Sequence, residues 1–167
     1  QLEIADEAIL RAFEIARAAG VRIIFNPAPA RSVPARMIEL ADIVVPNETE
    51  AELLTGLSVS GLNGASDAAR RLKEMGAQTV IVTLGASGAL LWDGSEEQHF
   101  SPPKVNAVDT TGSGDAFIGS LAYALVQGKD MPAAIRFANQ VAALSVTKPG
   151  TQTSFPTLKE VSEFIGS

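Results

Sequence analysis

The stretch Thr79-Val80-Ile81-Val82-Thr83-Leu84 is an unbroken, largely β-branched run. A strand wetted on one face alternates polar and apolar residues; a run without alternation fits a strand buried on both faces, as in a parallel sheet covered by helices. The rest of the chain must then alternate strands with helices. It reads that way. Ile4, Ala8, Ala12, Ile15, Ala16 and Ala19 recur at helical spacing with Gly20 as a stop, and Val21–Phe25 is a short strand. Asn26-Pro27-Ala28-Pro29-Ala30-Arg31 cannot continue a ladder, because its prolines lack donors. A short helix over Ala35–Leu40 and a strand over Ile43–Val45 follow. Asn47-Glu48-Thr49-Glu50 has the spacing of a capping box and opens a helix to about Leu54, stopped by Gly56. After a Gly/Ser/Asn loop, Asp67–Met75 is expected as helix.

Beyond the central run, Gly85-Ala86-Ser87-Gly88 turns the chain into Ala89–Trp92, and Asp93-Gly94 signals a hairpin. Strands are expected near Gln98–Phe100 and Val105–Val108. Helices are expected over Ser113–Val126, Pro132–Val146 and Thr157–Ile165, the last with a Thr157…Glu160 capping box. This alternation argues for an α/β domain with a doubly wound, mostly parallel sheet over residues 1–167.

Composition narrows the function classes. The 167 residues are 46% hydrophobic and 19% charged, an ordinary globular balance. A net charge of -6 without a basic run argues against nucleic acid or an anionic membrane surface as partner. With no cysteine there is neither disulfide nor thiolate zinc site, and the single histidine, His99, gives little support to a metal-ligand cluster or a Ser–His triad. His99 reads as a strand surface residue, Trp92 and Tyr123 as packing residues, and Arg70, Arg71 and Lys73 as an exposed helix face. No apolar run suits a bilayer span and no signal peptide is visible, so a soluble, cytoplasmic protein is expected. Because the sequence opens on Gln1 without Met, inside a helix-bearing region, it reads as a fragment of a longer protein.

The chemistry concentrates in Val108-Asp109-Thr110-Thr111-Gly112-Ser113-Gly114-Asp115-Ala116-Phe117. An extended run feeds small residues and two glycines, and an Ala/Leu-rich helix leaves them. Backbone N–H groups at such a helix start make an anion site, and Asp115 stands where it can take a proton from a nucleophile beside that anion. The loop lacks the Lys of a Walker A motif, so phosphate charge must be met by backbone, helix dipole and a metal ion. The plainer reading is a tight turn with a first-turn acid that the dipole favours.

Asp109–Phe117 closely resembles the C-terminal signature of the ribokinase-like carbohydrate kinases. Asn26–Arg31, Pro46-Asn47-Glu48-Thr49-Glu50 and Val82-Thr83-Leu84-Gly85 resemble three further blocks of that family, in family order and with family-like spacing. The resemblance implies a three-layer ribokinase-like fold, a mostly parallel sheet flanked by helices, here incomplete: the N-terminal half, with its sugar-binding Gly-Gly segments and β-stranded lid, is absent. It implies ATP-dependent phosphoryl transfer to a sugar, to the 5-hydroxyl of ribose, with magnesium and an activating potassium ion. A homodimer at full length goes with it. Asp115 matches the catalytic base, and Gly112, Ser113 and Gly114 match the anion hole. Asn47, Glu50, the loop Thr83-Leu84-Gly85-Ala86-Ser87-Gly88 and Asn139 match the nucleotide side, with Glu50 ordering the magnesium shell through water and Asn139 beside the adenine. Asp109, Thr111, Ser145, Lys148, Gly150 and Ser154 match a monovalent-cation site, and Glu3 a sugar-contacting carboxylate. Ser113 stands where the family commonly has Ala.

Each residue also has a plainer reading. Asn47 and Glu50 form a capping box in any case; Gly85 and Gly88 serve a turn; Asn139 is a buried amide bonding to backbone; Asp109 caps its loop; Ser154 is a surface residue; Glu3 is a helix-start acid. Two other functions stay open: a different sugar or nucleoside kinase of the family (fructokinase, adenosine kinase-like), and a non-catalytic nucleotide-binding module, above all for the fragment alone, which is expected to be inactive.

Overall fold

The β-branched run forms β3 (Thr79–Thr83), the middle strand of a five-stranded sheet. The computed structural model describes residues 1–166. Strand order follows the chain: β1 (Ile24–Phe25), β2 (Ile43–Val44), β3, β4 (Ala89–Trp92) and β5 (Glu97–Phe100). The first two pairings are parallel, in the registers Ile24–Ile43, Phe25–Val44 and Ile43–Thr79, Val44–Val80. Parallel neighbours need crossovers, supplied by α2 (Ala35–Leu40) between β1 and β2, and by α3 (Glu48–Thr55) and α4 (Gly61–Glu74) between β2 and β3. The β3–β4 pairing is antiparallel, Val80 opposite Trp92 through Thr83 opposite Ala89.

Two compact units divide the described chain: Gln1–Gly85 with Ala89–His99, and Ala86–Gly88 with the residues from Phe100 onward. In the first, α1 (Asp6–Ala18), α2 and α4 add apolar side chains to a core shared with the sheet. Phe25 is fully buried and meets Phe13 edge-on at 5.5 Å between ring centroids; a phenylalanine buried so completely contributes about 1.5–3 kcal/mol. Val80 and Val82 face this core, while Ile81, whose side chain projects from the opposite face of the strand, is equally buried. The unalternated run is therefore buried on both faces, as expected.

One helix boundary moves. α4 begins at Gly61, not Asp67, so Gly61–Ser66 is helix where a loop was expected. Glycine in a helix costs roughly 1 kcal/mol relative to alanine. Here burial of Ala65, Ala68, Ala69 and Leu72 outweighs it. Gly64 serves the packing directly, since a Cβ there would lie 2.9 Å from the Ser58 carbonyl oxygen.

In the second unit, α5 (Ser113–Val126) and α6 (Met131–Ser145) pack together, and α7 (Leu158–Gly166) rests on α6. Asp130 caps α6 through the Ala133 N–H at 2.8 Å. The Thr157–Glu160 capping box forms, with the Thr157 N–H donating to Glu160 Oε2 at 2.7 Å and the Glu160 N–H to Thr157 Oγ1 at 3.3 Å. Val105–Val108 is not a strand. Val108 is exposed, and its N–H donates at 2.7 Å to the Val146 carbonyl at the end of α6 rather than to a ladder partner. An apolar run alone cannot establish a strand when its backbone bonds go elsewhere.

Candidate functional site

In the first unit, polar residues gather at the carboxyl ends of the parallel strands, where open α/β sheets bind ligands. Asn26 follows β1, Asn47 follows β2 and Thr83 ends β3. Asn47 bridges to Thr83 in parallel register, and the Thr83 N–H donates to the Pro46 carbonyl at 2.9 Å. The capping box predicted at Asn47 and Glu50 is complete. Asn47 Oδ1 accepts from the Glu50 N–H, and the Glu50 carboxylate accepts from the Asn47 N–H and from Asn47 Nδ2, each at 2.9 Å. Asn26 Nδ2 donates to the Val45 carbonyl at 2.9 Å and reaches Glu50 Oε2 at 3.5 Å.

Glu50 is 4% exposed. Burial pushes its carboxyl above the usual range, and the Asn47 N–H pulls part of the way back. No Lys or Arg among the described residues pairs with it. A buried carboxylate held by amides and lacking a cation is chemically suited to a hard divalent ion.

The turn after β3 is a short 3-10 segment, Gly85–Ser87. Leu84 is buried, while Gly85, Ala86 and Ser87 are exposed. Gly88 is needed for close backbone approach: it has φ +90°, and a Cβ would collide with the Phe100 carbonyl oxygen. Glu3 is exposed just ahead of α1 and accepts from Gln1 Nε2 at 2.7 Å.

In the second unit, Gly112 adopts φ +80° and is the N-cap of α5. The first intrahelical bond runs from the Ala116 N–H to the Gly112 carbonyl at 2.9 Å, so the N–H groups of Gly114 and Asp115 lie in the unsatisfied first turn. The Ser113 N–H turns back to the Thr110 carbonyl at 3.2 Å. The exposed Asp115 borders a cleft of about 280 Å³ that Tyr123, Phe137 and Phe155 also line.

Asp109 is held tightly. Its Oδ1 accepts from the Thr111 N–H at 2.9 Å and hydroxyl at 2.6 Å, and its Oδ2 from the Gly150 N–H at 2.9 Å. The Thr111 hydroxyl, then the Thr111 and Gly150 N–H groups, draw its carboxyl down to about 2. Asp109, Thr111 and Gly150 are thus brought together. Ser145 and Ser154 are both buried, with hydroxyls on the Ala142 and Thr151 carbonyls; the surface reading of Ser154 is overturned. The Lys148 side chain pairs with Glu160 Oε1 at 2.5 Å, leaving its backbone as the part that suits a cation. Asn139 is buried on α6 and donates Nδ2 to the Phe100 carbonyl at 2.8 Å, as the buried-amide reading expected.

Asn26 and Arg31 of the Asn-Pro-Ala-Pro-Ala-Arg block meet Glu50 and Asp6, long-range partners that spacing does not make legible.

Residues 1–158 match the family model described as pfkB family carbohydrate kinase. The chain is 45% identical to ribokinase of Staphylococcus aureus over 164 residues, covering 98% of this chain and 54% of that protein. It is 42% identical to deoxyribokinase of Salmonella typhi, covering 99% of this chain and 54% of that protein. The chain thus spans about half the length of the curated relatives it matches. The solved structure of Arabidopsis thaliana ribokinase complexed with ribose and ATP superimposes on all of this chain and 55% of its own, with a TM-score of 0.95 at 32% identity.

Proposed function

Because the chain belongs to the pfkB family of carbohydrate kinases, we propose that the protein carrying it transfers the γ-phosphoryl group of ATP to the 5-hydroxyl of D-ribose. The observation that carries this reading is the Gly112–Asp115 turn. A left-handed glycine starts a fourteen-residue helix, leaving first-turn N–H groups beside a carboxylate that has no partner among the described residues.

In this reading Asp115 accepts the proton of the sugar hydroxyl as its oxygen attacks phosphorus. The Gly114 N–H, with the flanking Gly112 and Ser113 backbone, meets charge on the transferring group. Phosphoryl transfer needs mainly positioning and charge stabilisation, which preformed backbone donors provide without reorganisation. Asn47, Thr83 and the turn to Gly88 take the nucleotide, with Asn139 beside its base, and Glu3 contacts the sugar.

Magnesium, when bound, neutralises phosphate charge; Glu50 is the residue that would order its water shell, and the unpaired burial of that carboxylate supports the choice. Potassium would be held by oxygens alone, from Asp109, Thr111, Ser145, Lys148, Gly150 and Ser154, a donor set suited to a hard cation. Bound there, it would add a tie between Gly150 and Asp109 of the loop leading to Gly112, which already meet at 2.9 Å. A cytoplasmic setting goes with this reading.

The test is turnover by the natural protein with D-ribose, 2-deoxy-D-ribose, D-fructose and adenosine as acceptors. Relatives named ribokinase and deoxyribokinase match at similar identity, so the second acceptor is the sharpest competitor. Preference for any acceptor over D-ribose overturns the ribose assignment, and no phosphorylation of any of them overturns the kinase reading.

A second, narrower reading applies to the 167-residue chain taken alone: it binds nucleotide without phosphorylating sugar. Its half coverage of the relatives favours this. Titration with ADP and magnesium checks it, and a folded chain that ignores millimolar ADP overturns it.

A further inference from the structure

The segment that carries Glu3 is fastened on both sides by one side chain from a different loop. Arg31 places Nη2 at 2.5 Å from Asp6 Oδ1 and Nη1 at 3.2 Å from Asp6 Oδ2, a two-pronged ion pair. The same Nη2 reaches the Leu2 carbonyl at 3.5 Å. From the same loop, the Ala28 carbonyl accepts the Leu2 N–H at 2.6 Å. Leu2 itself is buried in the core of the first unit. Glu3 therefore lies between a pinned residue 2 and a pinned residue 6.

The arrangement takes the place of an ordinary helix start. The N-cap of α1 is Ala5, which makes no side-chain cap bond, so the entry into α1 lacks the local device that usually sets its direction. The Arg31–Asp6 pair supplies that direction from twenty-five residues away. Both partners are only about one-third exposed, and a guanidinium fork on a carboxylate fixes orientation as well as distance. Neither prong touches Asn47, Glu50 or Thr83.

We propose that Arg31 is a positioning residue for the Glu3 carboxylate, so that its loss weakens the hold on the sugar while leaving the nucleotide side intact. The proposal rests on the reading that Glu3 contacts the sugar. A displaced contact at the edge of a substrate costs less than the roughly 100-fold that a 1 Å misplacement can cost at the reacting atoms, and a loss of about 10-fold is the expected scale.

The experiment measures KM for D-ribose and for ATP in the natural protein carrying Arg31→Gln, Arg31→Lys, Glu3→Gln and the Arg31→Gln/Glu3→Gln pair. Arg31→Gln should raise the ribose KM about 10-fold with the ATP KM unchanged. Arg31→Lys, which keeps the charge but not the fork, should fall between it and the parent protein. The double variant should be no worse than Glu3→Gln alone, because both changes remove one function. If Glu3→Gln raises the ribose KM and Arg31→Gln does not, the positioning role is overturned and the Glu3 reading stands. If Glu3→Gln leaves the ribose KM unchanged, the Glu3 reading fails and takes the proposal with it. If Arg31→Gln raises both KM values together, the damage is general and the positioning role is likewise overturned.

Discussion

Asn47 and Glu50 hold each other by three hydrogen bonds of 2.9 Å: backbone to side chain in each direction, and amide to carboxylate between the side chains. The pair starts α3 and buries a carboxylate beyond the carboxyl end of β2. Capping and ligand binding are not rival roles here, because the helix end that needs a cap is also the end that attracts an anion.

Asn47→Ala removes the acceptor for the Glu50 N–H and the donor to its carboxylate. Loss of an asparagine cap costs about 0.5–2 kcal/mol, and the upper half of that range is expected because Glu50 is buried. A denaturant titration showing an unchanged slope and a lower midpoint would agree; an unchanged midpoint would contradict the structural role.

Asp115→Asn should leave stability close to that of the parent chain, since the exposed carboxylate makes no hydrogen bond or ion pair among the described residues. Turnover in the natural protein should fall roughly 100-fold or more, the scale of a lost general base. Near-normal turnover in a folded variant would remove Asp115 from the reaction.

Gly112→Ala forces a side chain onto φ +80° and places its Cβ 3.3 Å from the Phe155 ring. The left-handed conformation alone costs roughly 1–2 kcal/mol for an L-residue. A drop in melting temperature should therefore accompany any loss of phosphoryl transfer. Loss of activity at full stability would locate the effect in the anion site alone.

Acid should unfold the second unit through Asp109 and Glu160. Each carboxyl is held at about 2, from ordinary values of 3.8 and 4.5, foremost by the Thr111 hydroxyl for Asp109 and by Lys148 for Glu160. A depressed folded value means the unfolded chain binds protons first as pH falls. Their stabilisation is thus complete above about 4.5 and is lost as pH falls toward 2. Asp109→Asn and Glu160→Gln should each flatten the stability–pH curve in that window, as followed by circular dichroism. Glu50 has the opposite sign: its raised carboxyl favours the protonated folded state, so Glu50 alone gains stability as pH falls through its range.

Much of the architecture was legible because local chemistry and tertiary packing agree. The unalternated run Thr79–Leu84 needed two covered faces, and β3 has them. Asn47, Glu50, Thr157 and Glu160 carry their capping partners three residues away, within reach of a sequence reading. Errors arose where agreement fails. Gly61–Ser66 has poor helix propensity, and only burial of Ala65 and its neighbours makes it helical. Val105–Val108 has strand composition, but the Val146 carbonyl takes the hydrogen bond that a ladder would need.

The candidate site divides along the same line. The sequence by itself determined the local geometry of the candidate residues: the Gly112–Gly114 turn and Asp115 at the start of one helix, and the Asn47–Glu50 pair at the start of another, because turn, cap and helix-dipole chemistry act over three or four residues. Only the tertiary structure decided which of these groups are held, buried or open. Asp109 meets Gly150 forty-one residues away, Asn26 approaches Glu50, Ser154 is enclosed, and Arg31 grips Asp6. Such contacts depend on how strands and loops are brought side by side, and desolvation, which raises the Glu50 carboxyl, exists only once they are.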